Sequence, residues 1–326
     1  MAQTSPHYGV ARIRCHEKGL IGRDRMARLI DGNANDAVRQ LVDAGYGSLP
    51  DATIEDADRL IESELKDTYA LVREVSFKPA VTDVFLMKAD VHNLKMLLKL
   101  RLTGSKDAPA LMQGGVYTTA QLQTMVQNAD YRELPPEFKA ALEKLEQSFQ
   151  SHVDPVAVSV ALDNAYTDYA LRVGDAFVKE YFKVQSDFNN VLALLRLRAM
   201  GAGAEKLKTV LLSEGYIAHS RLLASMEAPM DSLGRTVGTG PARDGIICGV
   251  DAYIKTGNIS AVEKERDDAL MAMCAKGKLD SATIAPVVGY LLAREQEAKC
   301  IRLILTAKRN GLDDAIITER LRELYG

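Results

Sequence analysis

The feature that most constrains this chain is that it resembles itself. A shift of 97 residues lays Asp90-Val-His-Asn-Leu-Lys-Met-Leu-Leu-Lys-Leu-Arg-Leu-Thr-Gly104 on Asp187-Phe-Asn-Asn-Val-Leu-Ala-Leu-Leu-Arg-Leu-Arg-Ala-Met-Gly201 without a gap. Seven of the fifteen positions are identical, where unrelated sequences of ordinary composition share about one. The same shift carries Ile61, Leu65, Tyr69 and Phe85 onto Val158, Leu162, Tyr166 and Phe182. The repeat therefore covers more than one helix-sized segment. A long-period repeat changes the expected fold, because each copy buries its apolar face against its neighbours.

A third, weaker copy lies 110 residues beyond the second. There Asp187, Asn190, Leu194, Leu195, Arg198 and Gly201 map onto Glu297, Cys300, Ile304, Leu305, Lys308 and Gly311. Each copy runs on to an aromatic residue, at Gly115-Val-Tyr117, Gly215-Tyr216 and Leu324-Tyr325. The N-terminal region echoes only this tail, through Leu41-Val-Asp-Ala-Gly45-Tyr46.

Positions 90, 93, 97, 101 and 104 are spaced 3, 4, 4 and 3 apart, the stripe of one α-helical face. That face holds an acid, an amide, an aliphatic, a cation and a glycine. The mixture predicts a helix packed closely on a neighbour, with its polar groups satisfied within the molecule. Gly104, Gly201 and Gly311 follow cationic last turns and predict helix stops. Pro79 and Asp154-Pro155 predict helix starts. Strand signals are few, so the fold class expected is all-α, with three pseudo-symmetric helical repeats whose packing can build a closed, concave surface from one chain.

The 326-residue length suggests about two domains, a length that the repeat also absorbs. The expected divisions are an N-terminal helical arm over residues 1–47 that completes the ring of repeats, repeat 1 over 48–147, repeat 2 over 148–233, a glycine-rich linker over 234–250 and repeat 3 over 251–326. Hydrophobic residues make up 47% and charged residues 26%, enough for a core under a soluble surface. With 41 Lys and Arg against 44 Asp and Glu, no basic field exists to draw in nucleic acid. Cys15, Cys248, Cys274 and Cys300 form no Cys-x-x-Cys pair and are expected as free thiols in a reducing compartment. No run approaches the ~18 apolar residues of a spanning helix, which predicts a protein that is cytoplasmic or sits on a membrane complex without entering lipid.

Candidate chemistry is sparse. The stretch from Gly234 to Gly249 has closely spaced glycines that could present N–H groups to a phosphate. It lacks Gly-Lys-Ser/Thr, so a linker or loop is expected. Glu263, Glu265, Asp267 and Asp268 lack the spacing of a paired Mg²⁺–diphosphate motif and are expected on a solvated helix face. An Asp90–His92 pair falls on different helix faces. No catalytic series, cofactor site or metal site is expected, and the chain is not expected to be an enzyme. The positions marked for packing between repeats, or for contact with a partner, are Asp90, Asn93, Arg101, Asp187, Asn190, Arg198, Glu297, Arg302 and Lys308.

These helices, of pattern Asp-x-x-Asn-x-x-x-Leu-Leu-(Lys/Arg)-x-Arg, resemble those of the C/d subunit family of A-type and V-type ATPases. So do Tyr290-Leu-Leu-Ala-Arg-Glu-Gln-Glu-Ala-Lys-Cys-Ile-Arg-Leu-Ile304 and the N-terminal Tyr8, Arg12, Arg14 and Gly45-Tyr46. The resemblance runs from Tyr8 to Tyr325 and departs at Cys300, where the family often has Asn. It implies a pseudo-threefold, funnel-shaped socket at the cytoplasmic face of the membrane complex, a non-catalytic coupling subunit linking the central-shaft subunits to the membrane proteolipid ring and transmitting rotation coupled to ion transport. A helical-repeat scaffold for a different protein partner is the alternative that composition fits equally well.

Overall fold

The computed structural model describes residues 5–47, 49, 51–104, 109–148 and 154–325. Among these residues sixteen α-helices follow one another. They are α1 (Pro6–Glu17), α2 (Arg23–Asp31), α3 (Ala34–Asp43), α4 (Ala57–Val75), α5 (Pro79–Thr103), α6 (Thr119–Asn128), α7 (Pro136–Ser148) and α8 (Pro155–Val173). Then come α9 (Ala176–Ala199), α10 (Ala204–Lys208), α11 (His219–Ala224), α12 (Leu233–Val237), α13 (Arg243–Thr256), α14 (Ser260–Gly277), α15 (Ala285–Arg309) and α16 (Asp314–Arg320). No strand occurs among the described residues. The fold is all-α, and no helix among these residues is long and apolar enough to cross a membrane.

The expected helix boundaries are present. Asp154 caps α8 by accepting from the Val156 N–H at 2.8 Å, with Pro155 in the first helical position. Gly201 and Gly311 follow α9 and α15 at φ 68° and 66°. Beyond them the N–H groups of Ala202 and Leu312 return to the carbonyls of Leu197 and Ala307. This closure of the last turn needs the left-handed region that glycine enters freely.

The chain forms two compact units. One holds the described residues up to Thr82 together with those from Asp267 on, and the other holds Asp83–Arg266. In the first, α4 packs on α15, α1 packs on both, and α2 and α3 pack on α15. Its core brings Ile21, Leu29, Val38, Leu41 and Tyr46 against Ala298, Ile301, Ile304 and Leu305. In the second, α7 packs on α8, α8 on α9 and α12 on α13. The repeat-related Phe85 and Phe182 meet there at 5.7 Å between ring centroids, with Tyr166 edge-on to Phe182 at 5.1 Å.

The glycine-rich segment 234–250 differs from its expectation as a linker. It carries α12 and the first part of α13, with short turns around them. Its glycines serve contact: a side chain at Gly249 would stand 3.0 Å from Val262 Cα, and one at Gly234 would stand 3.3 Å from the Ile247 backbone. Glycine marks close helix packing as readily as it marks a loop.

Candidate functional site

The polar stripe of each motif helix forms a clasp on the segment that follows it. On α5, the buried Asp90 carboxylate accepts from the backbone N–H groups of Val116 at 2.6 Å and Tyr117 at 3.3 Å. One turn on, Asn93 takes both backbone groups of Met112. Its Oδ1 accepts from the N–H at 2.8 Å and its amide donates to the carbonyl at 2.9 Å. Arg101 donates to the Val126 carbonyl in the last turn of α6 and pairs with Glu146.

The second copy repeats the bonds of the acid and the amide, and its arginine again reaches backbone carbonyls. Asp187 accepts from Tyr216 N–H at 2.9–3.0 Å and Ile217 N–H at 2.9 Å. Asn190 accepts from Leu212 N–H at 2.7 Å and donates to its carbonyl at 3.1 Å. Arg198 donates to the carbonyls of Ser225 at 2.9 Å and Ala228 at 2.8 Å, just past α11. Gly115 and Gly215 let these loops descend onto the acids, since a side chain at either would collide with Asp90 or Asp187. Burial pushes the Asp187 carboxyl up to about 6, against the pull of the Ile217 and Tyr216 N–H groups and of Lys183.

The third clasp is assembled from distant parts of the chain. Glu297 on α15 accepts from the Tyr46 hydroxyl at 3.2 Å, from Arg294 Nη1 at 3.1 Å and from the Ile21 backbone N–H. Its carboxyl is pushed up to about 7 by burial, opposed first by Arg294. Lys308 donates to the carbonyls of Ile30 and Gly32 at the end of α2. Cys300 faces the Arg322 backbone N–H. The sequence pattern points to Gly45-Tyr46 and Leu324-Tyr325 as the tails of this motif. The backbone donor to the acid is instead Ile21, so Gly19-Leu20-Ile21 stands where Gly115-Val116-Tyr117 and Gly215-Tyr216-Ile217 stand in the other copies. Tyr46 contributes its hydroxyl and Tyr325 packs over Gly289.

Sequence reading missed the hub of this region. Arg294 is buried, bridges Glu64 and Glu297 at 3.1 Å each, and lies 5.7 Å from the ring centroids of both Tyr46 and Tyr290. Burial alone would lower its pKa; Glu297 and Tyr290 reverse that and raise it. Its position within the family-like stretch was legible, its partners were not.

Lateral polar contacts join the motif helices to other helices. Lys95 on α5 pairs with Asp163 on α8, and Tyr166 on α8 returns a bond to the Val84 carbonyl at 2.9 Å. Arg196 on α9 pairs with Glu263 on α14 at 2.7 Å, and Arg266 donates to Asn189 at 3.2 Å. Arg302 on α15 pairs with Asp58 on α4 at 3.0 Å, and Tyr69 on α4 donates to Glu295 at 3.2 Å. Of the acidic residues weighed as metal ligands, Glu263 pairs with Arg196, Glu265 accepts from the Cys248 thiol, and the two aspartates hold the C-terminal segment. Asp267 lies 3.7 Å from Lys299 and 3.6 Å from Arg322, and Asp268 accepts from Glu323 N–H at 2.7 Å. His92 is exposed.

Asp90, Asn93, Asp187, Asn190 and Glu297 are each at most 2% exposed. A second protein cannot touch those side chains while the clasps are closed. Arg101, Arg198, Arg302 and Lys308 are partly exposed.

A family model described as ATP synthase (C/AC39) subunit matches residues 9–320. The chain is 21% identical over 319 residues to the C subunit of the V-type sodium ATPase of Enterococcus hirae, covering 96% of this chain and 97% of that protein. It is 24% identical over 341 residues to the C subunit of the A-type ATP synthase of Pyrococcus abyssi, covering 98% and 90% respectively. It is 22% identical over 339 residues to the C subunit of the A-type ATP synthase of Methanothermobacter thermautotrophicus, covering 96% and 87%.

Proposed function

The chain belongs to the ATP synthase (C/AC39) subunit family, a structural and not a catalytic component of A/V-type ATPases, and on that premise we propose that it is the coupling piece between the central shaft and the membrane proteolipid ring. It sits peripherally at the cytoplasmic face and turns with both, passing torque between ATP chemistry and ion transport.

The observation that carries this reading is the repeated clasp, in which the motif helices α5, α9 and α15 each hold backbone from elsewhere in the chain through a buried acid. Three related helical units in one chain support a pseudo-threefold, funnel-like socket. Torque transmission asks for stiffness, and the buried clasps fix each motif helix to its loop and following helix by charge-assisted bonds. Of the marked positions, the half-exposed Arg302 and its surroundings are the best placed for partner contact, since the acids, the amides and Arg101, Arg198 and Lys308 are committed to the clasps.

Purification of the tagged chain from membranes of its source in mild detergent tests the partners. Shaft and proteolipid subunits are expected in fixed proportion with it. Recovery with a different protein and neither of these would establish a scaffold instead.

A further inference from the structure

We propose that residues 5–47 form a strap across the α4/α15 interface, and that this strap detaches as a unit ahead of the rest of the molecule, giving the protein a built-in opening point. Three observations support it. The first is topological. The clasps on α5 and α9 close on loops nearby in sequence, whereas the third joins residues separated by 251 positions at Tyr46–Glu297 and by 276 to 278 at Lys308. Opening it frees a long segment without unfolding a motif helix, and the freed segment gains chain entropy.

The second is chemical. The third motif has Glu for Asp, Cys for Asn and Lys for Arg. Asn93 and Asn190 each make two bonds to a single backbone unit. A thiol is a weak donor and acceptor and cannot reproduce that pair. The buried polar bonds on the strap are therefore those of Glu297 to Tyr46 and Ile21 and of Lys308 to Ile30 and Gly32, joined at the surface by the ion pairs Arg12–Glu74 and Arg23–Glu323.

The third is energetic. Among the described residues, the buried side-chain polar atoms without a hydrogen-bond partner are Glu17 Oε1 on α1, Thr68 Oγ1 on α4, Gln296 Nε2 on α15 and Tyr325 Oη. All lie in the unit that contains the strap, on or beside the elements it joins. Glu17 and Tyr325 are close enough to interact electrostatically, so the weight falls on Thr68 and Gln296. Unpaired buried polar groups favour any state in which water reaches them. Gly9, whose side-chain position would collide with the Val75 carbonyl, brings α1 tightly onto the end of α4, so α1 keeps water from this interface only while it is docked.

Hydrogen exchange followed by mass spectrometry on the full, isolated chain tests the strap independently of any partner. In the wild type, amides of α1 to α3 are expected to exchange together, at least ~10-fold faster than those in the core of α9. Tyr46→Phe removes one bond from the strap and is expected to speed its exchange about fivefold with α9 unchanged. Thr68→Val with Gln296→Met removes two unpaired polar atoms at nearly constant shape and is expected to slow strap exchange. Strap amides exchanging at the α9 rate in the wild type would overturn the proposal. So would Tyr46→Phe moving both regions equally, or the double variant speeding strap exchange.

Discussion

Asp187 and Asn190 show how a single side chain stabilises this molecule by satisfying backbone that would otherwise be buried unpaired. Asn190→Ala would leave the Leu212 N–H without a partner, while the carbonyl keeps the His219 ring nitrogen at 2.8 Å, a loss of about 1–3 kcal/mol at the usual cost of such a group. Urea unfolding of the purified chain reads that change directly. Asp187 makes a sharper prediction through pH. Its native value of about 6 lies above the ordinary 3.8, so between those values the native state keeps a proton that the unfolded chain has lost. Stability from this group is greatest below about pH 4 and falls as pH rises towards 6. The stability difference between wild type and Asp187→Asn should therefore decline over that window, by up to about 3 kcal/mol, and level off above pH 7. A difference that is flat or rises across pH 4 to 6 would show that the carboxylate is not destabilised by burial.

The helices themselves were largely legible. Spacing of 3 and 4 placed the stripe on α5, α9 and α15, and the glycines marked their ends, because helix period and helix stop are local properties. Gly201→Ala forces a side chain into φ near 68° and is expected to cost about 1 kcal/mol with the α9 core intact, measured as a shifted thermal midpoint. What the sequence could not show was the partner of each polar residue. The acid and amide find their loops only in three dimensions, and the third motif draws on Ile21, Ile30 and Tyr46, far away in the chain. The aromatic tail signal pointed to Gly45-Tyr46, although the backbone role belongs to Gly19-Leu20-Ile21, which carries an isoleucine in place of the expected aromatic. The segment 234–250 departs from its expectation for a related reason. Glycine density is the same whether the chain needs freedom or close contact, and only the neighbours Ile247 and Val262 decide. Lys308→Met tests the cross-chain design: it removes the donors to the α2 carbonyls, and circular dichroism with limited proteolysis should show cleavage within residues 5–47 and preserved helix elsewhere.

For the molecule as a whole, the repeat matters because one chain supplies three motif helices that each hold backbone through the same kind of buried clasp. That arrangement converts local bonds into stiffness, which is the property a rotary adapter needs, and it leaves no demand for a reactive group. Superposing the three motif helices within an experimentally determined complex should relate their hairpins by rotations near one third of a turn. The most direct measurement of the coupling role itself is ATP-driven ion uptake by liposomes carrying the reconstituted complex, assembled with and without this chain. The account predicts that the complex lacking it still hydrolyses ATP in its head but moves no ions, and that adding the chain back restores uptake. Ion uptake at the full rate without the chain would contradict it.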